Sequence, residues 1–261
     1  MENKKNEKDE SREERLLLLI KRTLPGKIIE FGCGDGNILQ ILSKNYPESL
    51  IVGIDINRER IDNVNKRNLK NVITFLSDVG SDIFPENSFN TSIFIGVLHE
   101  IYSYQGREQV TNAIKNAYNV LKKNGRLIIS DFLKPKSKQV DLIFKNNKAY
   151  SKFSRFANEY KVRKITYKKI GNKIILDTVD AVEFLSKYFS PTEEDWKEEM
   201  KEAHFSLTMD DFKNKLEKVG FKIIWIKELP WYEWKLKEFR KDLTFHHESE
   251  LKSILIVAKK M

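Results

Sequence analysis

Ile28-Ile29-Glu30-Phe31-Gly32-Cys33-Gly34-Asp35-Gly36-Asn37-Ile38-Leu39 decides the fold: an apolar strand runs into glycines at three alternate positions and then into a helical pattern. Gly32, Gly34 and Gly36 allow backbone conformations that a Cβ forbids, so a ligand can rest against bare peptide groups. A tight strand-to-helix turn built for steric reasons alone is the alternative reading of the same glycines. A dinucleotide fingerprint, Gly-x-Gly-x-x-Gly, needs a third glycine to hold a pyrophosphate, and Asn37 stands in its place. Glu30 sets a carboxylate beside the turn, which suits a cationic ligand better than a phosphate.

Working outward, Leu50-Ile51-Val52-Gly53-Ile54-Asp55 is a short apolar run ending in a carboxylate 19 residues past Gly36. Nucleotide-binding α/β folds place there the acid that grips both ribose hydroxyls. Capping the next helix is the competing role for Asp55, although Asn57 offers that cap by itself. Val72 to Leu76 reads as a third strand followed by Ser77-Asp78-Val79, and Phe89 to Leu98 as a buried fourth strand ending at His99-Glu100. The helical spacing of Val110, Ala113, Ile114, Ala117, Val120 and Leu121 stops at Asn124-Gly125, and a fifth strand, Arg126 to Ser130, follows. Near the end, Thr208 with Asp211 forms a capping box, and Phe212, Leu216 and Val219 make a stripe closed by Gly220. Phe221 to Ile226 and Ser253 to Ala258 read as the last two strands.

The order Glu-x-Gly-x-Gly-x-Gly, with acids ending the next two strands, resembles the class I methyltransferases that use S-adenosyl-L-methionine. The resemblance is close over residues 28–133 and general over 208–258. It implies an α/β fold: a seven-stranded, mostly parallel sheet flanked by helices, its last strand antiparallel, with an insertion or lid between the fifth strand and the last helix. It also implies S-adenosyl-L-methionine as cofactor, with Glu30 near the ammonium of the methionine moiety and Gly32, Gly34 and Gly36 passing under it. Asp55 then holds the ribose and Asp78 accepts from the adenine amino group, with Ile56 and Val79 beside these acids. His99 faces the methyl group in the resembled fold and ordinarily titrates near neutrality, so it is the candidate catalytic base. Packing or hydrogen bonding at a strand end is its alternative role. Leu98-His99 resembles the small-molecule and lipid-like branch of the family, and Tyr102, Tyr104 and Asp131 are candidate pocket walls.

At 261 residues and 40% hydrophobic content the chain suits one large domain, or one domain with a lid. The expected division is a charged tail over 1–15, a cofactor-binding core over 16–133, an insertion over 134–207, and the C-terminal helix and last two strands over 208–261. Cys33 is the single cysteine and leaves no intramolecular disulfide, which fits a reducing cytoplasm. No run approaches the roughly 20 apolar residues that span a bilayer, so a soluble cytoplasmic protein is expected.

The net charge of +9 is concentrated: residues 134–173 hold thirteen Lys or Arg against Asp141 and Glu159. Phe144, Tyr150, Phe153, Phe156, Tyr160 and Tyr167 are interleaved with these charges, a composition that suits RNA. An amphipathic helix from Val140 to Tyr160, aromatics inward and lysines solvated, is the other reading. Lys164 to Leu176 reads as a hairpin around Gly171-Asn172, Val179 to Phe189 as a helix, and Ser190-Pro191-Thr192-Glu193 as the start of another.

Absences narrow the chemistry. No Asn-Pro-Pro-Tyr or Asp-Pro-Pro-Tyr follows the fourth strand, against methylation of adenine N6, and the cysteine in the turn excludes a covalent route to cytosine C5. His246 and His247 point apart in an extended segment with no ligand cluster around them, so no metal site is expected. The expected activity is in-line methyl transfer to a small or lipid-like metabolite. RNA is the second acceptor class, and a non-catalytic module that senses the cofactor or binds a partner is the third reading.

Overall fold

The computed structural model describes residues 13–261, so most of the charged tail expected over 1–15 lies outside the described residues. A helix, α1 (13–22), precedes β1 (Lys27–Phe31), α2 (Asn37–Asn45), β2 (Leu50–Asp55), α3 (Arg58–Lys66), β3 (Val72–Leu76) and β4 (Phe89–Ile95). Then come α4 (Leu98–Gln105), α5 (Arg107–Val120) and β5 (Leu121–Phe132). The next segment contains β6 (Gln139–Phe144), α6 (Asn147–Glu159), β7 (Tyr167–Ile170), β8 (Lys173–Asp177), α7 (Thr178–Lys187) and α8 (Glu193–Glu199). The chain closes with α9 (Met209–Val219), β9 (Phe221–Pro230), α10 (Glu233–Phe239), β10 (Leu243–Thr244) and β11 (Lys252–Lys260).

Seven strands form the main sheet in the order β3-β2-β1-β4-β5-β11-β9. The pairs from β3 to β5 are parallel, and β11 runs antiparallel to both of its neighbours. Parallel strands are covered on both faces, which is why β1 and β2 are almost continuously apolar. Alternation along β1 sends Ile28 into a core with Leu39, Leu42, Ile61 and Val64 from α2 and α3. Ile29 and Phe31 point the other way, into a core with Ile114 and Ala117 of α5 and Phe212 and Leu216 of α9. The helices start where the sequence provides caps. The Asn57 side chain accepts from the Arg60 N–H ahead of α3, and Thr208 and Asp211 complete a reciprocal capping box ahead of α9.

A second antiparallel sheet, β10-β6-β8-β7, carries α6 and α7 over it and has a core of its own. Phe153, Phe156 and Phe184 are fully buried there, and Phe144 and Tyr160 nearly so. Where one helix is expected from Val140 to Tyr160, the chain forms β6 and then α6, because Val140, Leu142 and Phe144 repeat at two and bury one strand face. The hairpin turns at Gly171, whose φ of 59° lies in the left-handed region. Residues 231–251, between β9 and β11, join this second layer: β10 pairs with β6, and Trp231, Leu236, Phe239 and Phe245 are buried in its core. This second layer is thus built from two separated segments. Among the described residues no helix is long and apolar enough to cross a membrane.

Candidate active site

In an open parallel sheet, ligands bind beyond the strand carboxyl ends where the strand order reverses, here between β1 and β4. The glycine turn stands at that point. Gly32, Gly34 and Gly36 have φ of 70°, 51° and 75°, the left-handed region that other residues rarely adopt. Two of them are packed from behind: a Cβ at Gly32 would lie 2.5 Å from a Val97 methyl, and one at Gly36 2.7 Å from a Val64 methyl. A Cβ at Gly34 would meet nothing within 4 Å, so its bare side is turned to open space. Asp55 ties this turn to the end of β2: its Oδ2 accepts the Gly34 N–H at 2.8 Å and its Oδ1 accepts the Asn57 N–H at 2.9 Å.

A cavity of about 840 Å³ opens at this edge, lined by Glu30, Gly32, Gly34, Asp55, Ile56, Asp78, Val79, Glu100, Tyr104 and Glu202 among others. Every cofactor contact expected from the sequence except Gly36 is on that lining; Gly36 instead starts α2 behind it. Ile56 is 70% exposed, a large apolar side chain facing the opening. Asp78 accepts from the Gly80 N–H at 2.7 Å and from Gln105 Nε2 at 2.9 Å. The Glu30 side chain is buried, its Oε2 has no partner among the described residues, and burial lifts its carboxyl well above the usual range, with the Asp55 charge adding to the effect. A buried acid without a donor, beside a cradle with room above Gly34, fits a ligand bearing an ammonium group.

His99 lies behind this wall rather than on it. It is 5% exposed at the start of α4, and Asp131 at the end of β5 holds it: Asp131 Oδ1 is 2.6 Å from His99 Nδ1, and Oδ2 accepts the Leu98 and His99 N–H groups at 2.9 and 3.2 Å. Burial pushes the imidazole pKa down, but the Asp131 carboxylate, through charge and hydrogen bond, outweighs it, and with Glu100 and Glu202 nearby the value is pushed up to about 9. Asp131, expected as a pocket wall, therefore caps α4 and orients the ring. Tyr104 does face the cavity, and its hydroxyl donates to Glu202 Oε1 at 2.9 Å.

Sequence reading missed the segment that faces His99. The loop after α8 brings Glu202 and His204 to it: the rings of His99 and His204 are 5.0 Å apart at 82°, and His204 stacks on Phe132 at 4.5 Å. His204 Nε2 lies 3.1 Å from Glu199 Oε2 and 3.7 Å from Glu202 Oε2. The loop is tied on both sides. Ala203 N–H donates to Ser103 Oγ of α4, and the His204 and Phe205 N–H groups donate to the two oxygens of buried Glu183 of α7. No local pattern announces this, since the partners lie in elements far apart along the chain.

A sandwiched parallel sheet, a left-handed glycine turn at its switch point and carboxylates on the following strand ends define the class I methyltransferase fold. The methyltransferase-domain family matches this chain over residues 6–225, and the chain belongs to it. The chain is 27% identical over 125 residues to the demethylmenaquinone methyltransferase of Thermotoga maritima, 48% of this chain and 52% of that protein. It is 31% identical over 112 residues to the tRNA N(3)-methylcytidine methyltransferase trm141 of Schizosaccharomyces pombe, 42% of this chain and 45% of that one. The chain spans about half the length of the curated relatives it matches. The fold is similar to that of the S-adenosylmethionine dependent methyltransferase from Mesorhizobium loti, with a TM-score of 0.60 at 15% identity over 96% of this chain and 98% of that one.

Proposed function

We propose that this enzyme methylates a small or lipid-like acceptor that is neutral or cationic and enters beside Glu100, Tyr104 and Glu202. The charge of the cavity lining carries this reading. Glu30, Asp35, Asp55, Asp78, Glu100, Glu198 and Glu202 stand against Arg60 alone among the lining residues. A polyanion brought to that wall would meet like charge at short range in a partly desolvated space. The aromatics of the insertion, which would have to stack bases in an RNA enzyme, support the same reading because most are spent in the second core. Several basic side chains there are spent as well: Arg155 on Glu159 and Glu193, Arg163 on Asp180, Lys173 on Asp141 and Lys138 on Glu250.

When bound, the cofactor supplies an electrophilic methyl carbon on a sulfonium. The chain's own residues align the partners and exclude water. Glu30 receives the ammonium, Gly34 gives the backbone room, Asp55 uses its remaining lone pairs on the ribose, and Asp78 meets the adenine edge between Ile56 and Val79. On the acceptor side Glu202 and Tyr104 touch the substrate, and His99, held by Asp131 behind that wall, supports it as a positioning residue. Incubation with methyl-labelled cofactor and separate pools of RNA, protein, lipid and small-molecule extract tests this. Label is expected in the small-molecule or lipid pool. Label confined to RNA, or in no pool, rejects the proposal.

A further inference from the structure

The structure assigns a binding site for one divalent transition-metal ion to His99, Glu202 and His204, at the acceptor end of the cavity. One ligating atom from each of the three lies within 4.8 Å of the others. Each ring is already committed through its other nitrogen. His99 Nδ1 is held by Asp131 at 2.6 Å. His204 Nδ1 is 2.9 Å from Ser186 Oγ, whose own proton goes to the Glu183 carbonyl at 2.8 Å, so Ser186 accepts and the His204 proton sits on Nδ1. With Nδ1 so committed, each ring has Nε2 left to offer a cation, and that of His204 faces carboxylates. His204 Nε2 is 3.1 Å from Glu199 and 3.7 Å from Glu202. Acceptors facing acceptors in a buried space repel unless a cation lies among them.

The surrounding charge points the same way. Asp131, Glu183, Glu199 and Glu202 are compensated by buried Lys187, which pairs with Glu183 at 3.0 Å and Glu199 at 3.3 Å, so with neutral imidazoles the group keeps an excess of negative charge. Two imidazoles and a carboxylate suit a borderline ion such as zinc. Rings fixed by a carboxylate and a hydroxyl at the far nitrogen are the outer support such sites use. Glu199 is paired with Lys187, so His99, Glu202 and His204 would be the protein ligands, and of these Glu202 lines the cavity. An ion held there would make an oxygen, nitrogen or sulfur acceptor that reached it lose its proton more readily.

The competing arrangement is an imidazolium in place of the ion, and metal binding separates the two without any measurement of activity. The full-length protein is stripped with a chelator, desalted, and titrated with Zn²⁺ and with Co²⁺, reading retained metal per chain and the visible bands of bound cobalt. One ion per folded chain is expected. Glu202→Gln, His99→Gln and His204→Gln should each lower affinity by about tenfold or more, and Asp131→Asn by about 10- to 100-fold as outer support. Replacing His246 and His247 by Ala should leave binding unchanged. Should the histidine variants fail to fold, Glu202→Gln, at the cavity wall, still decides. No stoichiometric binding by the folded wild type, unchanged affinity in Glu202→Gln, or loss through His246 and His247 overturns the proposal. S-adenosylhomocysteine affinity, measured in parallel, reports separately on the methyltransferase reading.

Discussion

Glu30 combines burial, an unpartnered oxygen and a neighbouring negative charge, and each of these disfavours its ionised form. Its folded-state pKa is therefore above the unfolded value of roughly 4.3. The sign follows: below that value the group is protonated in both states and contributes nothing, and as pH rises toward the folded pKa it increasingly destabilises the ligand-free protein. Glu30→Gln should raise the melting temperature of the ligand-free protein, by a margin that widens with pH above about 5, and should weaken S-adenosylmethionine binding. Melting curves across pH check the first part and calorimetry the second; a pH-independent margin would contradict the assignment. Asp55→Ala removes acceptors from two backbone N–H groups as well as from the ribose, so cofactor affinity should fall by about tenfold or more. Cys33 is 6% exposed and burial raises its thiol pKa, with Glu30 and Asp55 adding to the effect, so alkylation of the folded protein at neutral pH should be slow and should accelerate only on unfolding.

Among the elements, α7 carries the most consequential burial. Lys187 is fully buried one helical turn from Glu183, and Glu183 in turn orders the His204–Phe205 backbone. Lys187→Met strands that carboxylate and should cost about 3–5 kcal/mol by urea unfolding, while Glu183→Gln combined with Lys187→Met should recover much of it. Additive losses in the double variant would show that the pair is not coupled. Local signals served well wherever the cause of an element is local. The Asn57 cap, the capping box before α9, the αL glycine after it and the turn at Gly171 act within a few residues of where they are read. The β6 strand was hidden because its two-residue alternation runs directly into the three-and-four spacing of α6, and only pairing with β8 and β10 separates them.

Across the molecule, the basic insertion resolves into a packed layer with its own sheet. Arg163 belongs to that layer's structure, since it bonds Asp180 at 2.8 Å, so it is left intact when the charge of the insertion is tested. Replacing Lys161, Lys164, Lys168 and Lys169 by Gln should leave turnover on a small acceptor essentially unchanged. Any RNA association of the native protein should be weak, with a salt slope set by these lysines, because each phosphate contact releases counterions. Methylation of RNA that is lost in the four-site variant would reverse the choice of acceptor.

The glycine-turn side of the cavity was legible because the residues that build it follow one another along the chain. A glycine turn, an acid at the end of β2 and another after β3 lie at spacings set by strand and helix length, and the alternation of buried residues places them all at one sheet edge. The surroundings of His99 and Tyr104, both named from the sequence, were decided by tertiary structure. His99 meets Glu202 and His204 only because a loop after α8 is pinned to α4 through Ser103 and to α7 through Glu183. Residues 231–251 join the second layer only because β10 finds β6 across the molecule. Burial and pairing between segments far apart in the chain leave no periodicity to read, and the environment they create makes a buried, carboxylate-held ring of a histidine that the sequence presents as an ordinary base.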